Sequence, residues 1–167
     1  EMREIPGTEG ASDPAFSPDG RWIAFVTPGE IVKVSVDGRT RVALAPVVDP
    51  RGLAWLDDQT IVASRQVALG LSLVQAGGGP VQELTSVDTE QKERTHRWPA
   101  AVPGGRAVLF TVGTEASPDD YNEARIDAVV VATGERKTVL EGASMVRATV
   151  DGRLLFVRQG VLYSVGF

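Results

Sequence analysis

The chain contains no cysteine. That excludes disulfides, thiolate-bound zinc and cysteine nucleophiles together, and it leaves the redox compartment unspecified. A single histidine, His96, excludes any metal site built on several imidazoles. No apolar run approaches the roughly 20 residues that a membrane-spanning helix needs, and no signal-peptide pattern stands before the first expected strand. The segment is therefore expected not to insert into a membrane. Its 17 Lys and Arg residues against 22 Asp and Glu give a formal net charge of −5, and the cations are scattered rather than striped. Nucleic-acid binding needs a basic footprint, so no nucleic-acid partner is expected.

What is present is an ordinary globular composition, 43% hydrophobic and 23% charged over 167 residues. Its central stretch runs from Pro14 to Phe25. Pro18-Asp19-Gly20 carries full turn chemistry: proline presets φ, aspartate accepts a hydrogen bond from its own downstream backbone, and glycine tolerates positive φ. In the following strand Trp22 and Ala24 fall on one face and Ile23 and Phe25 on the other, as in a sheet packed between two others. The unit returns at Trp55–Ala63, Ala101–Phe110 and Thr149–Val157, its turns roughly 39 to 47 residues apart. Such a period suits propeller blades or helical repeats. Apolar alternation of period two, cut by Gly and Asp turns, selects blades.

The expected fold class is all-β: a β-propeller of about four four-stranded antiparallel blades in a single domain spanning 1–167. The blades are placed at approximately 11–48, 49–88, 95–144 and 145–167 plus 1–7. The last blade lacks an outer strand, and Met2–Gly7 reads as an orphan strand able to complete it. The alternatives are a fragment of a larger propeller and a ring shared between chains. A polar connector is expected at Asp88–Thr95 and a long insertion at Gly113–Arg125.

Asp13–Phe25 resembles the WD40-like or PD40 repeats of the TolB propeller. Pro6–Gly10, Thr95–Pro99, Pro103–Thr111 and Thr133–Lys137, in that order, are similar to the C-terminal propeller of acidobacterial-type serine/threonine protein kinases. The resemblance implies a bacterial sensor or scaffold module attached to a kinase or regulator and placed beyond the cytoplasmic membrane. The turns Leu56-Asp57-Asp58-Gln59 and Pro103-Gly104-Gly105 depart from the family's Pro-Asp-Gly pattern. No kinase motif is present.

None of the serines stands in a nucleophile elbow, and the one histidine has no evident nucleophile partner in sequence. No catalytic residue, metal ligand or cofactor is expected. Gly77-Gly78-Gly79 precedes a strand and lacks a lysine, so it reads as a turn rather than a phosphate cradle. Trp22, Trp55 and Trp98 fall at related places in three blades and are expected in the core. The candidate contacts for a protein, peptide or small ligand are His96, Arg97 and Trp98 with the acidic loop Asp119, Asp120, Tyr121, Asn122 and Glu123. A structural reading of His96 competes with that one, in which the ring hydrogen-bonds a neighbouring blade. The acidic loop lacks the spacing of an EF-hand and reads equally as a solvated insertion. Three functions remain: a non-catalytic binding or scaffold module, an accessory propeller of a prolyl-oligopeptidase-type hydrolase, and a structural unit that self-associates through its terminal strands.

Overall fold

The computed structural model describes residues 2 and 4–166, and every regular element among them is a strand. The first sheet holds β1 (Ser12–Phe16), β2 (Trp22–Thr27), β3 (Glu30–Ser35) and β4 (Arg41–Pro46). The second holds β5 (Leu53–Trp55), β6 (Thr60–Ala63), β7 (Ser72–Gln75) and the short β8 (Gln82–Glu83). The third holds β9 (Glu93–Ala101), β10 (Ala107–Thr114), β11 (Arg125–Val130) and β12 (Arg136–Glu141). The fourth holds β13 (Ser144–Ala148), β14 (Arg153–Arg158) and β15 (Val161–Gly166). Within each sheet the strands pair antiparallel in chain order. The first strand of each sheet touches the first strand of the next, so the sheets succeed one another as blades about an axis.

Period-two alternation builds the core between blades. Ala24, Val26 and Ile31 meet Trp55, Ile61 and Val74 across the first gap. Val62, Leu71 and Leu73 meet Val108, Phe110 and Val112 across the second, and Leu109 and Ile126 meet Leu154 and Phe156 across the third. Each fully buried Val, Leu, Ile or Phe among them contributes about 1.5–3 kcal/mol, so the gaps hold the sheets together. The β1–β2 turn is as its residues dictate: Gly20 has φ 68°, and Asp19 Oδ1 accepts the Arg21 N–H at 3.0 Å.

Four expectations need correction. Ile5, like Ile23, packs on the cluster of Phe25, Val32 and Val34, and a Cβ on Gly38 would lie 3.3 Å from Pro6. The described N-terminal residues thus cover the free face of the first sheet, whose apolar side chains attract Ile5, and add no strand to the three-stranded fourth. Glu1 and Arg3 of the expected 1–7 segment, and Phe167 of the expected last blade, lie outside the described residues. Second, β9 starts at Glu93, inside the expected polar connector Asp88–Thr95, because Glu93, Thr95 and His96 are buried in polar contacts. Third, β10 runs through Thr114, which shortens the insertion to 115–124. Fourth, the tryptophans are not equivalent: Trp22 lies in a second strand and Trp55 and Trp98 in first strands. Trp55 is buried, with its Nε1 donating to the Ala15 carbonyl at 3.0 Å, and Trp22 packs partly buried against the same core, whereas Trp98 is half-buried elsewhere.

Candidate binding site

The first strands share a backbone irregularity at one end of the axis. Asp13, Trp98 and Met145 have φ of 50°, 49° and 55°, and Gly52, immediately before β5, has φ 97°. Register slips beside each of the three non-glycine positions, the mark of a β-bulge that re-aims a side chain. Asp13 and Trp98 both precede proline, which asks for no hydrogen bond at the next position. Aspartate adopts this conformation readily, but for tryptophan it is strained. The Trp98 N–H donates to the Arg51 carbonyl at 2.8 Å, and Gly52 lets the strands close, since a Cβ there would sit 3.2 Å from Trp98 Cα.

Trp98 is half-buried against a second strained aromatic, Tyr121, whose φ is 58°. The rings meet edge to face with centroids 4.9 Å apart. Tyr121 is seated on bare backbone: a Cβ on Gly113 would lie 2.9 Å from its Cε1 and 2.8 Å from Thr95 Cγ2. Over the same ring, at 5.3 Å, lies the Arg97 guanidinium, whose Nε donates to Thr95 Oγ1 at 3.1 Å. Burial pushes the Arg97 pKa down, and the charges of Arg51 and Arg94 add to that; burial pushes Tyr121 up. Beside this platform opens a cleft of about 420 Å³, with Asp13, Thr27, Pro28, Asp49, Arg51 and Trp98 on its walls. Arg51 and Asp49 form an ion pair on its rim.

Of the eight residues singled out in sequence, Arg97, Trp98 and Tyr121 therefore come together. Asp119, Asp120, Asn122 and Glu123 are exposed and do not join them. Their loop is folded on its own polar groups: Asp120 Oδ1 accepts the Asn122 N–H at 3.0 Å, and Ser117 Oγ accepts the Glu123 N–H at 2.8 Å. Among the described residues no group of three or more His, Asp and Glu side chains is arranged to hold a metal ion.

His96 is fully buried and has no surface to offer a ligand. The competing structural reading describes it. Its Nδ1 lies 2.7 Å from Thr85 Oγ1, at the end of the second sheet, and its Nε2 lies 3.0 Å from Glu93 Oε2. The Glu93 carboxylate can only accept, so the neutral imidazole carries its proton on Nε2, and Nδ1 accepts from the Thr85 hydroxyl, whose oxygen in turn accepts the Leu71 N–H at 2.8 Å. Burial lowers the His96 pKa, with the charge of Arg136 adding to it against the bond to Glu93. The ring is neutral. Hydroxyl, imidazole and carboxylate stand in the order of a nucleophilic triad, but Thr85, His96 and Glu93 are only 7%, 0% and 3% exposed.

Behind them lies a charge cluster that sequence reading missed. Glu93 receives Arg125 and Arg136, and Asp127 accepts Arg125 Nε at 3.1 Å, Arg136 Nε at 2.6 Å and the Thr138 hydroxyl at 2.9 Å. Two carboxylates and two guanidiniums balance. Burial alone would raise the Glu93 pKa, yet hydrogen bonds from His96, Arg136 and the Asp88 N–H hold it far below the usual carboxylate range. A charged residue in alternation with apolar ones on β11 was the available signal, at Asp127 between Ile126 and Ala128.

No family model and no curated protein matches the chain. Solved structures do. A TolB-type protein of Agrobacterium tumefaciens superposes with a TM-score of 0.75 at 14% identity, over 93% of this chain and 58% of that one. TolB from Acinetobacter baumannii gives 0.73 at 17%, over 99% and 43%. The fold is that of a β-propeller. A chain of a nidogen/laminin complex gives 0.73 at 14%, over 99% and 64%. This propeller thus spans about half the length of the TolB structures it resembles. An oligogalacturonate lyase is similar as well, so the architecture by itself sets no chemistry.

Proposed function

We propose that this propeller is a non-catalytic module that binds a protein or peptide in the axial cleft beside Trp98. One observation carries the reading. Trp98 and Tyr121 are held in left-handed backbone conformations and in mutual contact, and Trp98 forms part of the cleft wall. Such strain costs about 1–3 kcal/mol per residue and concentrates at ligand clamps and active sites. Burial of the hydroxyl–imidazole–carboxylate arrangement supports the non-catalytic part. The module serves as the sensory or interaction part of a larger bacterial regulator or kinase outside the cytoplasmic membrane. The order of motifs from Pro6 to Lys137 supports that assignment, as does the likeness to TolB propellers.

A displayed peptide library selected on the chain tests the binding reading. Selected peptides are expected to lose tenfold or more in affinity against Trp98→Ala, about 1.4 kcal/mol. Peptides that bind wild type and Trp98→Ala equally well would place binding elsewhere and end the proposal.

A further inference from the structure

Taking the axial cleft as a binding site, we propose that Arg97 is a preset anchor for an oxyanion of the bound peptide, a carboxylate or a phosphoryl group. The guanidinium is fixed on two sides, by the Thr95 hydroxyl at Nε and by the Tyr121 ring beneath its plane. Among the described residues its Nη1 and Nη2 atoms have no hydrogen-bond or ion-pair partner. The other half-buried arginines nearby are engaged: Arg51 with Asp49, Arg125 and Arg136 with Glu93 and Asp127.

Physical chemistry makes this imbalance a binding site. A guanidinium presents its two terminal nitrogens as a planar fork that matches carboxylate and phosphate oxygens in pairs. Holding the fork in place beforehand removes the ordering cost a ligand would otherwise meet. Arg97 is also partly stripped of water, and Arg51 and Arg94 add like charge around it. An arriving anion relieves both. Of the neighbouring carboxylates, Asp49 offsets part of this through its charge but is itself paired with Arg51, and Asp119 is exposed on the loop beside Tyr121. Trp98, adjacent in sequence and in contact with the same ring, offers an apolar surface to whatever bears the anion.

The test is an NMR titration of the full chain, following arginine Nε–H and tryptophan indole signals. Sodium acetate and inorganic phosphate are added separately against sodium chloride at matched ionic strength. The expected result is saturable movement of the Arg97 and Trp98 signals with acetate, with phosphate or with both. The anion that saturates at lower concentration identifies the source. Arg97→Gln is expected to abolish saturation, and Arg97→Lys, which keeps the charge but loses the fork, to weaken it tenfold or more. If Arg97→Gln fails to fold, Tyr121→Leu substitutes, with an expected loss of about two- to fivefold. No saturation beyond chloride, or an unchanged response in these variants, overturns the anchor. Library peptides that require Trp98 yet carry neither a carboxylate nor a phosphate overturn it too, while leaving the axial site standing. Saturation by acetate without any Trp98-dependent peptide sustains the anchor and removes the peptide reading.

Discussion

The Thr85 hydroxyl donates to His96 Nδ1 at 2.7 Å and so ties the end of the second sheet to the innermost strand of the third, where the imidazole is fully buried. The same oxygen accepts the Leu71 N–H, so one hydroxyl satisfies two buried groups. Thr85→Val keeps the shape and leaves both without a partner, at an expected cost of about 2–4 kcal/mol. Gly70→Ala attacks the same junction sterically, since its Cβ would lie 1.6 Å from the Thr85 carbonyl oxygen. Urea unfolding measures both. Losses under about 0.5 kcal/mol would mean that the junction is not what holds these sheets in register.

Acid weakens this junction, and the sign follows from two depressed pKa values. His96 and Glu93 both release protons more readily when folded than when unfolded. The unfolded chain therefore binds more protons, and stability falls as pH falls. The His96 contribution is complete above its unfolded value near 6.5 and declines below it; that of Glu93 declines only below about 4.5. The urea midpoint is expected to drop between pH 7.5 and 5.5, and His96→Gln to flatten that interval. A midpoint that rises on acidification would contradict the neutral buried imidazole.

Removing Glu93 strips two guanidiniums of their shared partner. Glu93→Ala is expected to cost about 3 kcal/mol, the lower end of what breaking a buried ion pair costs, because Arg125 and Arg136 retain 15% and 23% exposure. Pairing Glu93→Ala with Arg136→Met is expected to recover part of that loss. A double variant that loses the sum of the two single effects would mean the residues act independently.

Gly113 holds the aromatic platform in place by having no side chain. Gly113→Ala forces Tyr121 or Thr95 to move, at about 1–3 kcal/mol, and shifts the Trp98 indole signal in NMR. Anion binding at Arg97 is expected to weaken with it. A Trp98 signal that stays in place would show that Tyr121 does not depend on the bare backbone.

The outer edge of β15 pairs with no strand among the described residues, and Val161, Leu162, Tyr163 and Val165 are 53%, 68%, 44% and 41% exposed. An uncharged apolar edge of this kind invites strand addition. The chain is expected to show a solution mass by light scattering that grows with concentration, and Leu162→Lys is expected to suppress the growth. A constant monomer mass from micromolar to near-millimolar concentration would exclude pairing at this edge.

The sequence by itself determined the sheets. Pro18-Asp19-Gly20, Asp37-Gly38, Thr133-Gly134 and Asp151-Gly152 set their turns through local backbone chemistry, and apolar alternation fixed which faces are buried. Both signals live within a few residues of each other, so they survive without knowledge of the fold. The resting place of Ile5, the burial of Glu93 and the partners of His96 were decided only by tertiary structure. Thr85 and His96 lie 11 positions apart, and Glu93 and Arg136 lie 43 apart. No local pattern encodes such pairings; they exist because packed sheets bring one strand's polar side chain against the end of another. Arg97, Trp98 and Tyr121 show the division most sharply. Residue type marked them as candidates, but the bulge at Trp98 and the missing side chain at Gly113 assembled them into one site.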